Sequence, residues 1–221
     1  MKNIQDDKMR YKYTDEQKKA IIEEQAILIL KEYDPIKYSD AFKRESPDYI
    51  CEKHSVGVEV TEGLSREIQK KKSLVDRIVG KKDGELTDRE KKKIKDEDLT
   101  VIPLFGFHMA GYTCHGSKLD LKKALESKLN KLPTYKRMNS NELFIYIYDC
   151  HDDDIPPLID LVKLINGNSK MKFDKVFLCI YTGTYAKIYD ISEEVNTFEL
   201  DSELMNKIDK KISEKYKPEI E

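Results

Sequence analysis

Two carboxylates, Asp48 and Glu59, stand in a spacing that can hold a metal ion. They lie in the segment SPDYICEKHSVGVEVTE, from Ser46 to Glu62. Residues 48–52 and 56–61 are predicted as two strands, joined by the short turn Glu52-Lys53-His54-Ser55. Pairing Cys51 with Val56 places Asp48 directly opposite Glu59. Side chains alternate across a strand, so Asp48, Glu59, Thr61 and Gly57 share one face, while Tyr49, Val58 and Val60 share the other. Opposed residues have Cβ atoms about 4.5–5.5 Å apart, and like charges so placed destabilise the pair. A hard divalent cation between them, Mg²⁺ or Mn²⁺, relieves that repulsion and takes oxygen ligands of this kind. Gly57 is expected to remove bulk beside the pair and leave room for a ligand.

Pro47-Asp48, a hairpin, and then Gly57-Val58-Glu59-Val60-Thr61 resembles the motif of the PD-(D/E)XK phosphodiesterase superfamily, the restriction-endonuclease-like fold. In that family a Pro-Asp precedes a strand reading acidic-x-Lys. The resemblance implies that Asp48 and Glu59 are catalytic metal ligands, with the Val60 carbonyl as a further ligand, and that the core is a helix, a hairpin and a second helix over residues 15–79. Thr61 occupies the family's lysine position. Lys128 is the candidate replacement, because it projects from the apolar face that Leu121, Ala124, Leu125, Leu129 and Leu132 define at helical spacing. The alternative is that Lys128 snorkels to solvent, and Lys131 sits at the edge of the same face. The first helix offers a third carboxylate, Glu23 or Glu32 on opposite edges of its apolar face, and Glu23 is taken as the candidate metal ligand. Glu24 is expected to point away. Gln69 and Lys70 follow the hairpin and can reach a phosphate or simply face solvent.

The elements that must carry these residues are legible. Residues 15–33 repeat apolar positions at helical spacing (Ile22, Ala26, Ile29, Leu30, Tyr33) and stop at Asp34-Pro35. A helix is predicted over 63–79. Residues 80–98 are nearly all charged and form an expected insertion, and Leu99 to Phe107 is expected to return to the core. A helix over 117–132 follows, then an apolar strand over 142–148 in a central position. His151-Asp152-Asp153-Asp154 precedes Ile155-Pro156-Pro157, and its carboxylates suit the positive end of a helix reaching about Ile165. Strands over 173–181 and 185–191 and a closing helix over 201–215 complete an α/β fold, a mixed sheet flanked by helices in a single domain, 1–221.

Charged residues make up 37% of the 221-residue chain at a net charge of −2, so overall charge does not mark a nucleic-acid binder. Its distribution is uneven: residues 63–82 and 118–137 each carry seven Lys or Arg against two acids, and residues 192–221 carry nine acids against five lysines. Basic segments suit a phosphate-lined groove and equally suit solvated helix faces. No apolar run is long enough to span a bilayer, and the start lacks the apolar core of a secretory signal, so no membrane association and a cytoplasmic setting are expected. Cys51, Cys114, Cys150 and Cys179 form no CxxC; the pairs Cys114-His115 and Cys150-His151 fit no standard zinc spacing. The MAGYTCHGS loop, flanked by His108 and His115, is a further candidate site lining. The expectation is a Mg²⁺- or Mn²⁺-dependent nuclease acting on nucleic acid, DNA before RNA. The rivals are a decayed nuclease-like module that binds nucleic acid or protein, and a plain structural hairpin with surface-exposed carboxylates.

Overall fold

The first helix begins where the chain supplies its own cap. Thr14 Oγ1 accepts the Gln17 amide while Gln17 Oε1 accepts the Thr14 amide, a reciprocal box that satisfies two donors otherwise left bare. In the computed structural model, which describes residues 11–220 apart from 65, 83, 98, 105–106, 112–117, 149, 151, 182–184, 193 and 218, the chain runs as follows. A short strand β1 (Tyr11–Lys12) leads to α1 (Asp15–Tyr33), β2 (Phe42–Lys43), β3 (Tyr49–Cys51) and β4 (Val56–Glu62). Next come α2 (Arg66–Ile78), α3 (Asp88–Asp96), β5 (Thr100–Leu104), β6 (Phe107–Gly111) and α4 (Lys118–Lys131). The chain closes with β7 (Ser140–Ile147), α5 (Ile155–Asn168), β8 (Lys175–Tyr181), β9 (Ala186–Ile191), β10 (Val195–Leu200), α6 (Ser202–Lys215) and β11 (Glu219–Ile220).

The fold is α/β, as expected. Its seven-stranded sheet has the order β10-β9-β8-β7-β4-β3-β2. The sheet is mixed: β8, β9 and β10 pair antiparallel, as do β2, β3 and β4. By contrast, β4 and β7 start together, with the Ser140 amide donating to Ser55 O, and end together, with the Gly63 amide donating to Tyr146 O. β7 is central, which explains why Leu143 to Ile147 are all buried.

Internal packing divides the chain into two compact units. The first comprises Met1–Thr61, Leu132–Ile145 and Phe173–Glu221. In it α1 buries Ala26, Ile27, Ile29 and Leu30. α6 lies antiparallel along α1: Gln25 Nε2 donates to Asp209 Oδ1 at 3.1 Å, and Lys215 Nζ meets Glu24 Oε2 at 2.7 Å. Asp201 caps α6 by accepting the Leu204 amide.

The second unit comprises Glu62–Lys131 and Tyr146–Lys172. Leu74, Ile78 and Leu99 form a small core there, with Val75, Leu86, Ile94 and Val101 packed against it. The charged segment folds into α3, opened by a capping box between Thr87 and Glu90 and tied by Lys81 Nζ to Glu90 Oε1 at 2.6 Å. The described residues of 99–107 join no strand of the seven-stranded sheet. β5 and β6 make a separate two-stranded sheet, and Ile102 is 56% exposed on it. Leu99 is buried in the small core of the second unit and Val101 packs against it, so the run reaches a core, though not that of the seven-stranded sheet. α5 passes through Asn166-Gly167 to Asn168, and Asp152–Asp154 directly precede its N-terminus as expected, although Asp154 makes no side-chain cap bond.

Gly57 has a packing duty rather than the spacious one expected of it. A Cβ there would lie 2.7 Å from Pro47 Cγ, 3.2 Å from Met138 Cγ and 3.4 Å from Asn141 Oδ1. The proline ring is rigid, so the close approach of Pro47 to β4 requires glycine. Gly57→Ala is expected to destabilise the protein by about 1–3 kcal/mol, the range for overpacking a tight site. Urea unfolding of the two forms measures this.

Candidate active site

The observed register is the one that sets Asp48 against Glu59. Tyr49 pairs with Val58, Ile50 with Gly57 and Cys51 with Val56. β3 begins at Tyr49 while β4 continues to Glu62, so the β3-facing edge of β4 runs past its backbone partner. Asp48 fills that gap with its side chain: Oδ2 accepts the Val60 amide at 2.8 Å. A charge-assisted bond of this kind fixes the carboxylate's position and direction. In a strand, the N–H and C=O of one residue face the same neighbour, so the Val60 carbonyl turns to the side occupied by Asp48.

Asp48 and Glu59 are each only 5% exposed. That overturns the reading of surface-exposed carboxylates, since burying a carboxylate costs several kcal/mol unless a cation or donors compensate it. Tyr135, just beyond the 3-10 turn Leu132–Thr134, is a buried phenol in the field of Glu59 and Asp48, and its hydroxyl makes no hydrogen bond among the described residues. Burial, then Glu59 and Asp48, push its ionisation well above the ordinary tyrosine range.

Glu23 is 4% exposed on α1. Its Oε2 lies 2.9 Å from Lys43 Nζ and its Oε1 lies 3.4 Å from Lys19 Nζ. Lys19 is held charged above its usual range by Glu23 first, with Asp48 and Glu59 adding to the same effect against partial burial. The Lys19 ammonium therefore sits in the field of all three carboxylates. Glu32 is exposed, which settles the choice between the two edges of α1 in favour of Glu23 as the buried one. Glu24 does not point idly away, because its Oε2 accepts the Tyr49 hydroxyl at 2.9 Å.

Lys128 is half-buried on α4, beside buried Leu121, Leu125 and Leu129, and belongs to the second unit; Lys131 is exposed. Lys70 is exposed on α2. His115, His151, Cys114 and most of the MAGYTCHGS loop lie outside the described residues. Thr61, in the motif's lysine position, is half-buried.

The donor chemistry suits a hard divalent ion: two buried carboxylates, one oriented by a backbone bond, beside a strand carbonyl. Among the described residues, no group of three or more His, Cys, Asp or Glu side chains converges to hold a metal. An ion held by Asp48 and Glu59 would therefore need water and backbone oxygen to complete its shell.

The sheet carries a second polar cluster that nothing in the sequence pattern announced. Glu142 is fully buried, and Lys37 at 2.5 Å, the Tyr38 hydroxyl at 2.6 Å and Ser140 Oγ at 3.2 Å surround it. Asp190, 1% exposed, accepts from Lys175 at 2.7 Å and from the Tyr33 hydroxyl at 2.8 Å. Each carboxylate here has its own lysine and its own phenol, so the cluster is a charge-compensated strut between the end of α1 and the sheet.

Scans against family models, curated proteins and solved structures return no match. No helix among the described residues is long and apolar enough to cross a membrane.

The strut gives a pH prediction. Burial first, then the neighbouring carboxylates, raise the ionisation of Tyr33 and Tyr38 well above the ordinary tyrosine range. The unfolded chain releases these protons near pH ~10 and the native one does not. Their contribution to stability is whole below about pH 10 and is lost as the pH climbs further. Ultraviolet absorbance of the phenolate should show these two phenols ionising together with alkaline unfolding, and Tyr38→Phe should remove part of that late step.

Proposed function

We propose that this chain is a divalent-metal-dependent phosphodiesterase acting on nucleic acid, DNA before RNA, of the PD-(D/E)XK type. One observation carries the reading: Asp48 and Glu59 are buried together on neighbouring strands in the register that opposes them. A buried, like-charged pair is stabilised by a cation, and these oxygens favour Mg²⁺ or Mn²⁺. Asp48 and Glu59 would hold the metal, which would supply an activated water and charge neutralisation at the scissile phosphate. Asp48 is held in place by the Val60 amide, so it enters the shell already oriented. The Tyr135 phenol, buried and near both carboxylates, stays protonated at neutral pH. The buried free thiols Cys51 and Cys179 support a reducing, cytoplasmic setting.

Thr61 favours a second reading, a decayed site that binds nucleic acid or protein without cutting it. Cleavage assays separate the two. Mn²⁺-dependent cutting of DNA should be abolished by EDTA. It should fall about a hundredfold or more in both Asp48→Asn and Glu59→Gln, the scale of loss when one group stabilising a developing charge is removed. Far-ultraviolet circular dichroism should show the fold intact in both variants. If both cut as well as the parent, the assignment is wrong; if the parent binds DNA and Mn²⁺ yet does not cut, the second reading holds.

A further inference from the structure

We propose that Lys19 and Lys43, gathered by Glu23, form a clasp for one phosphodiester group of a nucleic-acid strand beside the Asp48–Glu59 pair. The inference rests in part on the function proposed above and assigns the substrate contact of that same site.

Glu23 is the starting point. Its side chain is 5% exposed, yet both of its cations reach it from outside: the Lys19 side chain is 76% exposed and that of Lys43 is 46% exposed. Exposed ion pairs contribute little to stability and cost the rotamer freedom of a long side chain. A single buried carboxylate needs one cation, and here two approach, on opposite oxygens. The triad of Glu23, Lys19 and Lys43 carries one positive charge in excess, which is the complement of a phosphodiester.

The two lysines are not held alike. Lys43 lies at 2.9 Å from Oε2, a close ion pair. Lys19 lies at 3.4 Å from Oε1, and that oxygen, though buried, makes no hydrogen bond among the described residues. Lys43 therefore keeps Glu23 compensated while Lys19, one helical turn before Glu23, is loose enough to turn to an anion. Asp48 and Glu59 also attract Lys19. A divalent cation at those two carboxylates removes that attraction and frees the ammonium for a phosphate beside the metal. Glu23 is on this account a positioning residue for two lysines, not the metal ligand expected from the sequence.

Fluorescence anisotropy of a labelled DNA strand, with Ca²⁺ in place of Mg²⁺, tests the clasp alongside Mn²⁺ affinity measured separately. Lys19→Ala with Lys43→Ala should weaken strand binding about tenfold. It should also make the salt dependence shallower by about 0.7, the counterion release from a single strand for the one phosphate that the clasp neutralises. Mn²⁺ affinity should hold or tighten rather than weaken, since Lys19 no longer competes for the carboxylates, and arginine at both positions should restore strand binding. Lys207→Ala, a charge control on α6, should leave the affinity within twofold. Glu23→Gln adds positive charge, so bulk electrostatics predicts tighter binding; the positioning role predicts weaker binding.

The clasp is overturned if the double variant binds as the parent does, if Lys207→Ala weakens binding equally, or if the parent binds no strand. It is also overturned if Glu23→Gln loses Mn²⁺ affinity tenfold and keeps strand affinity, which would make Glu23 a metal ligand. A parent that binds the strand through these lysines but takes up no Mn²⁺ supports the clasp and refutes the metal-dependent reading.

Discussion

The hydrogen bond from the Val60 amide to Asp48 Oδ2 holds the candidate site together. It exists because β4 outruns β3, leaving a backbone donor without a strand partner at the point where Asp48 enters. A buried amide left bare costs on the order of 1–3 kcal/mol, so the carboxylate is drawn to it. Register does the rest. A slip of one residue would turn Glu59 to the apolar side and expose Val58 and Val60, and the burial of those valines forbids it. Gly57 guards the same register by admitting Pro47 against β4. Two carboxylates are thus forced together by apolar packing on the opposite face of the same strands.

Buried charge on this sheet is handled in two ways. Glu142 and Asp190 are each enclosed by a lysine and a tyrosine hydroxyl, with the lysines largely covered. Asp48, Glu59 and Glu23 instead share the field of Lys19, whose side chain is mostly in solvent. Carboxylates that each hold a close, partly covered lysine and a phenol stiffen the fold and keep their cation. An arrangement whose cation is exposed and loosely held can exchange that cation for another, and this separates a strut from a site.

The hairpin was legible because a short polar turn flanked by alternating residues leaves little choice of register. The main helices were legible from their periodicity, α1 to its last residue. Other features were hidden for physical reasons. β10, Val195–Leu200, is an edge strand with mostly exposed side chains, so it lacks the apolar alternation that betrays a strand. The β5–β6 hairpin reads as core because a run of apolar residues looks the same whether it joins a large sheet or makes its own. Lys19 looks like any solvated helix lysine, since its significance lies in Asp48 and Glu59, distant in the chain, which only the fold brings near. Tyr135 follows a proline in a polar connector, where nothing local marks it as a neighbour of Glu59. Gly57 was assigned empty space, although the residues that fill that space, Pro47, Met138 and Asn141, come from both sides of it in the chain.

The proposed hydrolysis turns on a divalent cation binding between Asp48 and Glu59. Anomalous diffraction from crystals soaked in Mn²⁺ addresses that binding most directly. A single strong peak in contact with both carboxylates, beside the Val60 carbonyl, is expected, together with its loss in Asp48→Asn. A structure with no anomalous density at these residues under saturating Mn²⁺, with the hairpin register intact, would contradict it.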